Sequence, residues 1–549
     1  MPQEQNVTVN LTLLSPDDTP TTFCKNTISR PNKPITTTFT IIPEHIGNWK
    51  LEVTVQSNDA LHQLNGTLLV KPEGVLQFFS QPVLIDLHKS KTFDTVIQLP
   101  ADPADKVAGS EKVSVHVAGD LLGVPTHKLD QLIRLPYEGG EPNMAILATS
   151  AAILKYGQTT NKISPQQEVN LVSKTQLGFQ RALTYLHSDG SFSLWGKSDR
   201  NGSTWFTAYV ARVFAETLGL LPKSSRRVLG KAIQFLIGRQ NDDGSFRESG
   251  KVVDNYVEGG AYKHCTLTAF TTLSLIEYTK VGKADDAMML NASTAIQKAV
   301  TFLESQLESL KDDPYALAIT AYALARANSS KSEDALAGLE NLMVQHASTV
   351  HWKTLESVDD EDGGPGYSYS THAREVEATA YALLAYMANG NWSMPLKIAA
   401  WLISKQNAQG GFFPPTDTAI ALAALAQFAQ SFTAAPSMQI AVTDGNQKRD
   451  MTIFQKSSID VQFFEFAPKP RDIAINARGS GMAVAYVSWT YNVLQPMEGW
   501  VFDLNATLSH AGFPKAKHLT ICARHWKEGS SSMTVVEVTG LSGYQFDEV

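Results

Sequence analysis

Cysteine is nearly missing from this chain. Cys24, Cys265 and Cys522 are the only ones in 549 residues, and they lie far apart with no C-x-x-C or other metal-ligand spacing. The sequence therefore holds neither a disulfide framework nor a zinc motif, and the odd number leaves a thiol able to pair outside the chain. A run of about 18 apolar residues is also absent, so no segment is predicted to span a bilayer as a helix. Positive charge is in short supply: 46 Lys and Arg stand against 54 Asp and Glu, for a formal charge of -8. That balance excludes the basic stripe a nucleic-acid partner would need for its phosphates. The opening residues MPQEQNVTV show no basic and apolar leader, as expected of a fragment or of a chain whose signal peptide has been removed.

What remains is ordinary globular composition, with 43% apolar and 18% charged residues and a length suited to three or four domains. Eight N-x-S/T sequons, at Asn6, Asn10, Asn65, Asn201, Asn291, Asn328, Asn391 and Asn505, point to a secreted, extracellular glycoprotein. From Asn6 to about Pro100, short alternating runs such as TTTFTII and NWKLEVTVQS, with turn residues about every ten positions, predict a β-sandwich. Ala-rich and Leu-rich helical stretches joined by Gly turns then run from Asp120 to about Phe432. The β pattern returns after Ser437, in MTIFQKSSIDVQFFEF and MAVAYVSWTYNV. A helical block between two β segments predicts one domain inserted into another.

The helical block repeats itself. FLIGRQNDDGSF (235–246) aligns without a gap on WLISKQNAQGGF (401–412), and YLHSDGSF, ending at Phe192, is a weaker copy. Each copy runs from an apolar helix end through a Gly turn to an aromatic, and a helix of small and apolar residues follows. Repeated helix pairs that bury their faces against their neighbours predict a ring of inner and outer helices, an α/α toroid.

The segment LIRLPYEGGEPNMAILA (132–148) stands near the start of that block. Taken alone, Glu141-Pro142 reads as a helix start, with proline where a missing N–H costs nothing. The segment also resembles the thioester site of the alpha-2-macroglobulin/complement superfamily, P-Y-G-C-G-E-Q-N-M, in which a cysteine thiolate and a glutamine close an internal thioester. Gly139 stands at the cysteine position and Pro142 at the glutamine position, and neither supplies a sulfur nucleophile or a side-chain carbonyl. The resemblance continues in VKPEGVLQFF from Val70, VHVAGDLLG from Val115, NGSTWFTAYV from Asn201, QNAQGGF from Gln406 and SSMTVVEVTGLSGYQFD from Ser531. It implies a multidomain α + β fold. A partial macroglobulin-like β domain would occupy 1–72 and the first part of a CUB domain 73–119. A thioester-domain-like α/α toroid would follow at 120–432, with the rest of the CUB domain at 433–498 and a partial macroglobulin receptor-binding domain at 499–549. In members with a histidine on the pocket wall, the ring relays the acyl group to hydroxyls. Counting back from Gly259-Gly260, that position here is Asp254, beside Asn255.

Other constellations read as structural. His264-Cys265 lacks further metal partners, and Asp359, Asp360, Glu361 and Asp362 precede GGPGYSYS as a solvated loop, although the run is similar to the D-D-x-x-D of terpene synthases. His351, His372 and Cys265 are too scattered for a zinc site, while Trp205, Phe246 and Trp401 fall at core positions. No metal or cofactor is expected, and the chain is not expected to be an enzyme. Three functions compete. The first is non-covalent recognition of proteins, whether proteases, cell-surface receptors or microbial surfaces, in innate immunity. The second is endopeptidase inhibition by trapping, which in the family needs a bait region upstream of this segment. The third is a toroid enzyme such as a prenyltransferase or terpene cyclase, which requires a deep pocket with convergent acids or zinc ligands.

Overall fold

The computed structural model describes residues 4–525 except 31–32, 58–59, 89, 129–131, 133–138, 251, 253–261, 283–286, 347, 354–372, 413–414, 432–435, 468, 495–501 and 511–515; Val536 and Val538 are described as well. The chain folds as mixed α and β, with several sheets and twelve helices among the described residues.

At the N-terminal end, β1 (Gln5–Leu14), β2 (Pro20–Ser29), β3 (Gly47–Gln56) and β4 (Leu61–Val70) form one antiparallel sheet in the order β2-β1-β3-β4. Alternation along β1 puts Leu11 and Leu13 on one face, where they meet Trp49. The indole Nε1 of Trp49 donates to the His45 carbonyl at 2.9 Å.

Two further sheets interleave strands from both sides of the helical region. β5 (Val75–Asp86), β6 (Thr92–Gln98) and β7 (Lys112–Ala118) precede it. β10 (Ser437–Thr443), β11 (Lys448–Ile453), β12 (Gln462–Phe466), β13 (Asp472–Ser480) and β14 (Met482–Val493) follow it. The sheet orders are β11-β10-β13-β6 and β12-β7-β14-β5, so the helices are an insertion between β7 and β10. Val113, Val115 and Val117 of β7 and Ala483, Ala485 and Val487 of β14 share an apolar core with Ile440, Val442, Ile473 and Ile475. The alternate residues of β14, Met482, Val484 and Tyr486, belong to the core of the helical region instead. β15 (Phe502–His510) and β16 (Lys517–His525) form a separate hairpin.

The helices are α1 (Gly123–His127), α2 (Gly140–Thr160), α3 (Pro165–Ala182), α4 (Thr204–Thr217), α5 (Ser225–Ile237), α6 (Lys263–Val281), α7 (Ala287–Gln306), α8 (Pro314–Arg326), α9 (Ser332–Leu342), α10 (Ala373–Ala388), α11 (Pro395–Ser404) and α12 (Pro415–Ser431), with a two-strand pair, β8 (Val344–Gln345) and β9 (Val350–His351), before α10. Packing runs α2, α4, α6, α8, α10, α12 and back to α2, while α3, α5, α7, α9 and α11 cover them from outside. Sequence explains the division. An inner helix such as TLTAFTTLSL in α6 is small or apolar on nearly every side, as a helix buried all round must be. The outer helix α3 buries only Leu171, Thr175, Gly178, Phe179 and Ala182, a single stripe at helical spacing. Starts are fixed by side-chain caps: Ser164 and Gln167 form a capping box on α3, Ser203 accepts from the Phe206 N–H on α4, and Asp313 accepts from the Ala316 N–H on α8.

The repeated turns act as latches. Gly190, Gly244 and Gly410 hold φ of 89°, 91° and 79°, a region glycine enters without steric cost. The aromatic that follows is buried, and its N–H donates to a threonine hydroxyl on the next inner helix: Phe192 to Thr207 at 2.8 Å, Phe246 to Thr268 at 2.9 Å and Phe412 to Thr418 at 2.8 Å. A fourth latch was not legible in the sequence: the Trp352 N–H donates to Thr379 at 3.3 Å from the end of the β8/β9 pair.

The last latch joins the helical region to the sheets. Gln406 donates from Nε2 to the Gly410 carbonyl at 2.8 Å and accepts at Oε1 from the Tyr486 hydroxyl of β14 at 2.7 Å, with both side chains buried. Burial pushes the Tyr486 phenol well above its ordinary value. Tyr486→Phe strands a buried amide oxygen and is expected to cost about 1–2 kcal/mol. Urea denaturation checks it, and adding Gln406→Leu should recover little of the loss, because it removes the stranded amide oxygen but takes the Nε2 donor from the Gly410 carbonyl.

Candidate functional site

Gly139 is the residue before α2, with φ 83° and ψ 145°, and no side chain caps the helix there. The Gly140 N–H donates to the Leu194 carbonyl at 2.9 Å. A Cβ on Gly140 would lie 2.6 Å from Cζ of the fully buried Phe206, so α2 approaches α4 at a point where only glycine fits. Among the described residues, a Cβ on Gly139 meets nothing closer than Pro142 Cδ at 3.4 Å, followed by Trp195 Cη2 at 3.9 Å. The two positions that the sequence comparison singled out, Gly139 and Pro142, thus face each other across the first turn of α2. Asn143 is buried behind them and donates from Nδ2 to the Gly178 carbonyl at 3.0 Å.

The neighbouring start of α4 is held by a residue that sequence reasoning missed. The Glu248 carboxylate accepts from the N–H groups of Thr204 (2.7 Å), Trp205 (2.9 Å), Ser249 (2.8 Å) and Gly250 (2.8 Å), and from the Ser203 hydroxyl at 3.3 Å. A negative charge at a helix N-terminus, with unpaired N–H groups to accept from, is the favourable arrangement there. A glutamate some 40 residues downstream in sequence carries no local signal of this role.

Asp254, Asn255, Gly259, Gly260, His372 and the acidic run 359–362 lie outside the described residues. His264 is exposed, whereas Cys265 beside it is buried with its thiol pushed up to about 11 by desolvation. The described residues hold no group of three or more His, Cys, Asp or Glu side chains suited to a metal ion. Trp205, Phe246 and Trp401 are core residues, 6%, 0% and 4% exposed. Asn6, Asn65, Asn201, Asn291, Asn328 and Asn505 are exposed, and Asn10 and Asn391 are half-buried.

A family model of the A-macroglobulin TED domain matches residues 113–428. The chain belongs to the alpha-2-macroglobulin/complement superfamily. It is 27% identical to ovostatin of Gallus gallus over 536 residues, a match that covers 92% of this chain and 35% of ovostatin. The chain therefore spans about a third of that relative's length. The family's thioester-containing domain corresponds to the helical region, and the match begins on β7 and ends within α12. Among the described residues no helix is long and apolar enough to cross a membrane.

Two predictions follow from this geometry. Gly140→Ala should destabilise the helical region by about 1–3 kcal/mol by driving a methyl into Phe206, read as a lower midpoint in thermal unfolding followed by circular dichroism. The second concerns His351, which is buried and stacks on Trp401 at 4.7 Å and on His346 at 5.6 Å. Burial lowers its pKa from 6.5 to about 4, with His346, Lys405 and Lys353 adding to the shift and Glu375 opposing it. Above pH 6.5 the ring is neutral folded or unfolded. Between 6.5 and 4 only the unfolded chain takes up the proton, so stability should fall across that window and level off below it. Unfolding midpoints measured across it should show a shallower slope for His351→Gln.

Proposed function

We propose that this chain is the C-terminal part of a thioester-less member of its superfamily, acting outside cells by non-covalent protein recognition in innate immunity. In this reading the helical region is an α/α toroid at 120–432, set into a CUB β-sandwich formed by 73–119 and 433–498. Partial macroglobulin domains at 1–72 and 499–549 flank it. The observation that carries the proposal is the pair Gly139 and Pro142. They occupy the thioester positions at the start of α2, where the family's chemistry needs a thiolate and a carboxamide. Non-covalent binding leaves proteases, cell-surface receptors and microbial surfaces as partner classes. The exposed sequons support secretion.

Protease trapping is the second reading, and the extent of the match favours keeping it: the aligned region covers 35% of ovostatin, and trapping would reside in a longer parent protein that contains a bait region. A toroid enzyme has less support, because the similarity to ovostatin runs through the β segments on both sides of the helices as well as through the helices themselves.

Methylamine treatment followed by intact-mass spectrometry tests the thioester-less reading. The mass should stay unchanged, and a methylamine adduct at 133–148 would overturn it. The geometry also supports a restoration test. In Gly139→Cys with Pro142→Gln the new side chains start on facing positions, at a backbone cost of about 1–3 kcal/mol for the positive φ and extended ψ at residue 139. With Asp254 in place of a relay histidine, a restored thioester should release one thiol with methylamine and acylate amines in preference to glycerol. A thiol that is free from the start would mean the bond does not form.

A further inference from the structure

The axis of the helical ring is hollow. Towards the N-terminal ends of the inner helices it narrows to a cavity of about 70 Å³ lined by Trp205, Tyr209, Phe270 and Tyr381. At their C-terminal ends it widens to about 570 Å³, with a wall drawn from α2, α4, α6, α8, α10 and α12, a volume suited to a small-molecule ligand. Among the described residues that wall carries four cations, Lys155, Arg212, Lys280 and Arg326, against two carboxylates, Glu216 and Glu277.

The charges are layered by depth. Arg212 and Glu277 are the least exposed; Arg212 Nε donates to Glu216 at 3.3 Å, and Arg326 Nη2 donates to Glu277 at 2.7 Å. The Arg326 Nη1 donates to the Tyr322 hydroxyl at 2.7 Å, so of its five N–H donors several remain for a ligand. Lys280 reaches Glu277 at 2.9 Å from a half-exposed position, and the Lys155 side chain stands exposed with no carboxylate partner among the described residues. Gln427 and Gln430 of α12 add amide groups to the wall. A positive excess at helix C-termini partly offsets their carbonyl ends, but that effect needs no cavity and no guanidinium with spare donors.

We propose that this wide mouth binds a small polyanion, a molecule carrying two or more negative charges as phosphate or carboxylate groups. The deep arginines would hold one anionic group in fixed geometry, and Lys155 and Lys280 would attract and hold another at the opening. The mouth lies at the far end of α2 from Gly139, about 22 Å along the helix from Gly140 to Lys155. The site thus stands or falls independently of the thioester-less reading.

Isothermal titration calorimetry of the full chain with pyrophosphate and with citrate, each against chloride at matched ionic strength, tests the proposal. One saturable site is expected for at least one probe: pyrophosphate alone assigns phosphate chemistry, citrate alone assigns carboxylate chemistry, and both together assign charge as the main determinant. Lys155→Ala with Lys280→Ala removes two side chains that project from the surface. It should leave the helical circular dichroism unchanged and weaken binding by about tenfold or more. Absence of saturable binding of either probe, or binding unaltered in the double variant, would overturn the proposal.

Discussion

Strand β14 is buried on both faces, and the arrangement of the whole molecule follows from that. Its period of two deals Ala483, Ala485 and Val487 into the core between the sheets and Met482, Val484 and Tyr486 into the core of the helices. One strand is thus shared by two hydrophobic cores, and a slip of one residue would exchange the two sets. Over the first half of the strand small residues face the sheet core, where Trp489 and Tyr491 follow further along, while Met482, Val484 and the Tyr486 hydroxyl face the helices. The hydroxyl then needs a partner away from water, which Gln406 provides from the turn before α12. The position of the ring on the sheets is therefore set by side chains of both modules, beyond the two covalent connections through α1 and the segment before β10. Gly410 contributes to the same junction: a Cβ there would come within 2.5 Å of Pro125 in α1, so the last turn and the first helix meet at contact distance.

Within the ring, one small device recurs with different letters. A turn ends in a buried aromatic whose backbone N–H is satisfied by a threonine on the following inner helix. Three copies were legible because their turns require glycine at positive φ, and Asp189 and Asp243 each accept from the serine two residues on. The fourth was not, because β8 and β9 shape the backbone in place of a glycine turn. His351-Trp352 then stands where Ser-Phe or Gly-Phe stands elsewhere. Its conformational requirement is the same, but its sequence requirement differs.

The candidate site was readable to a similar limit. Gly139 and Pro142 stand out because the residues around them resemble the superfamily's thioester site and because proline suits a helix start, whereas the positive φ at Gly139 and the close approach of Gly140 to Phe206 emerge only from the fold. The two-part β-sheet arrangement was foreshadowed by β-type pattern on both sides of the helices, though strand order could not be read from pattern. Glu248 and the charged axis were hidden because their meaning lies in partners far away in sequence. Arg212, Glu277 and Arg326 look like ordinary surface charges on amphipathic helices until the ring closes and turns them inward towards one another.

The interleaved sheets bear on how the protein is made. Asp86 of β5 pairs with Met482 of β14, so roughly 400 residues must leave the ribosome before that strand finds its neighbour, on the order of tens of seconds at ~5–20 residues per second. Throughout that time β5, β6 and β7 have no permanent sheet partners, and apolar β5 side chains such as Phe79 and Val83 wait without a core. The helices, whose contacts are local, have time to assemble first. Their closed ring would then bring β7 and β10 close together, which makes the inserted domain a scaffold for completing the one that hosts it.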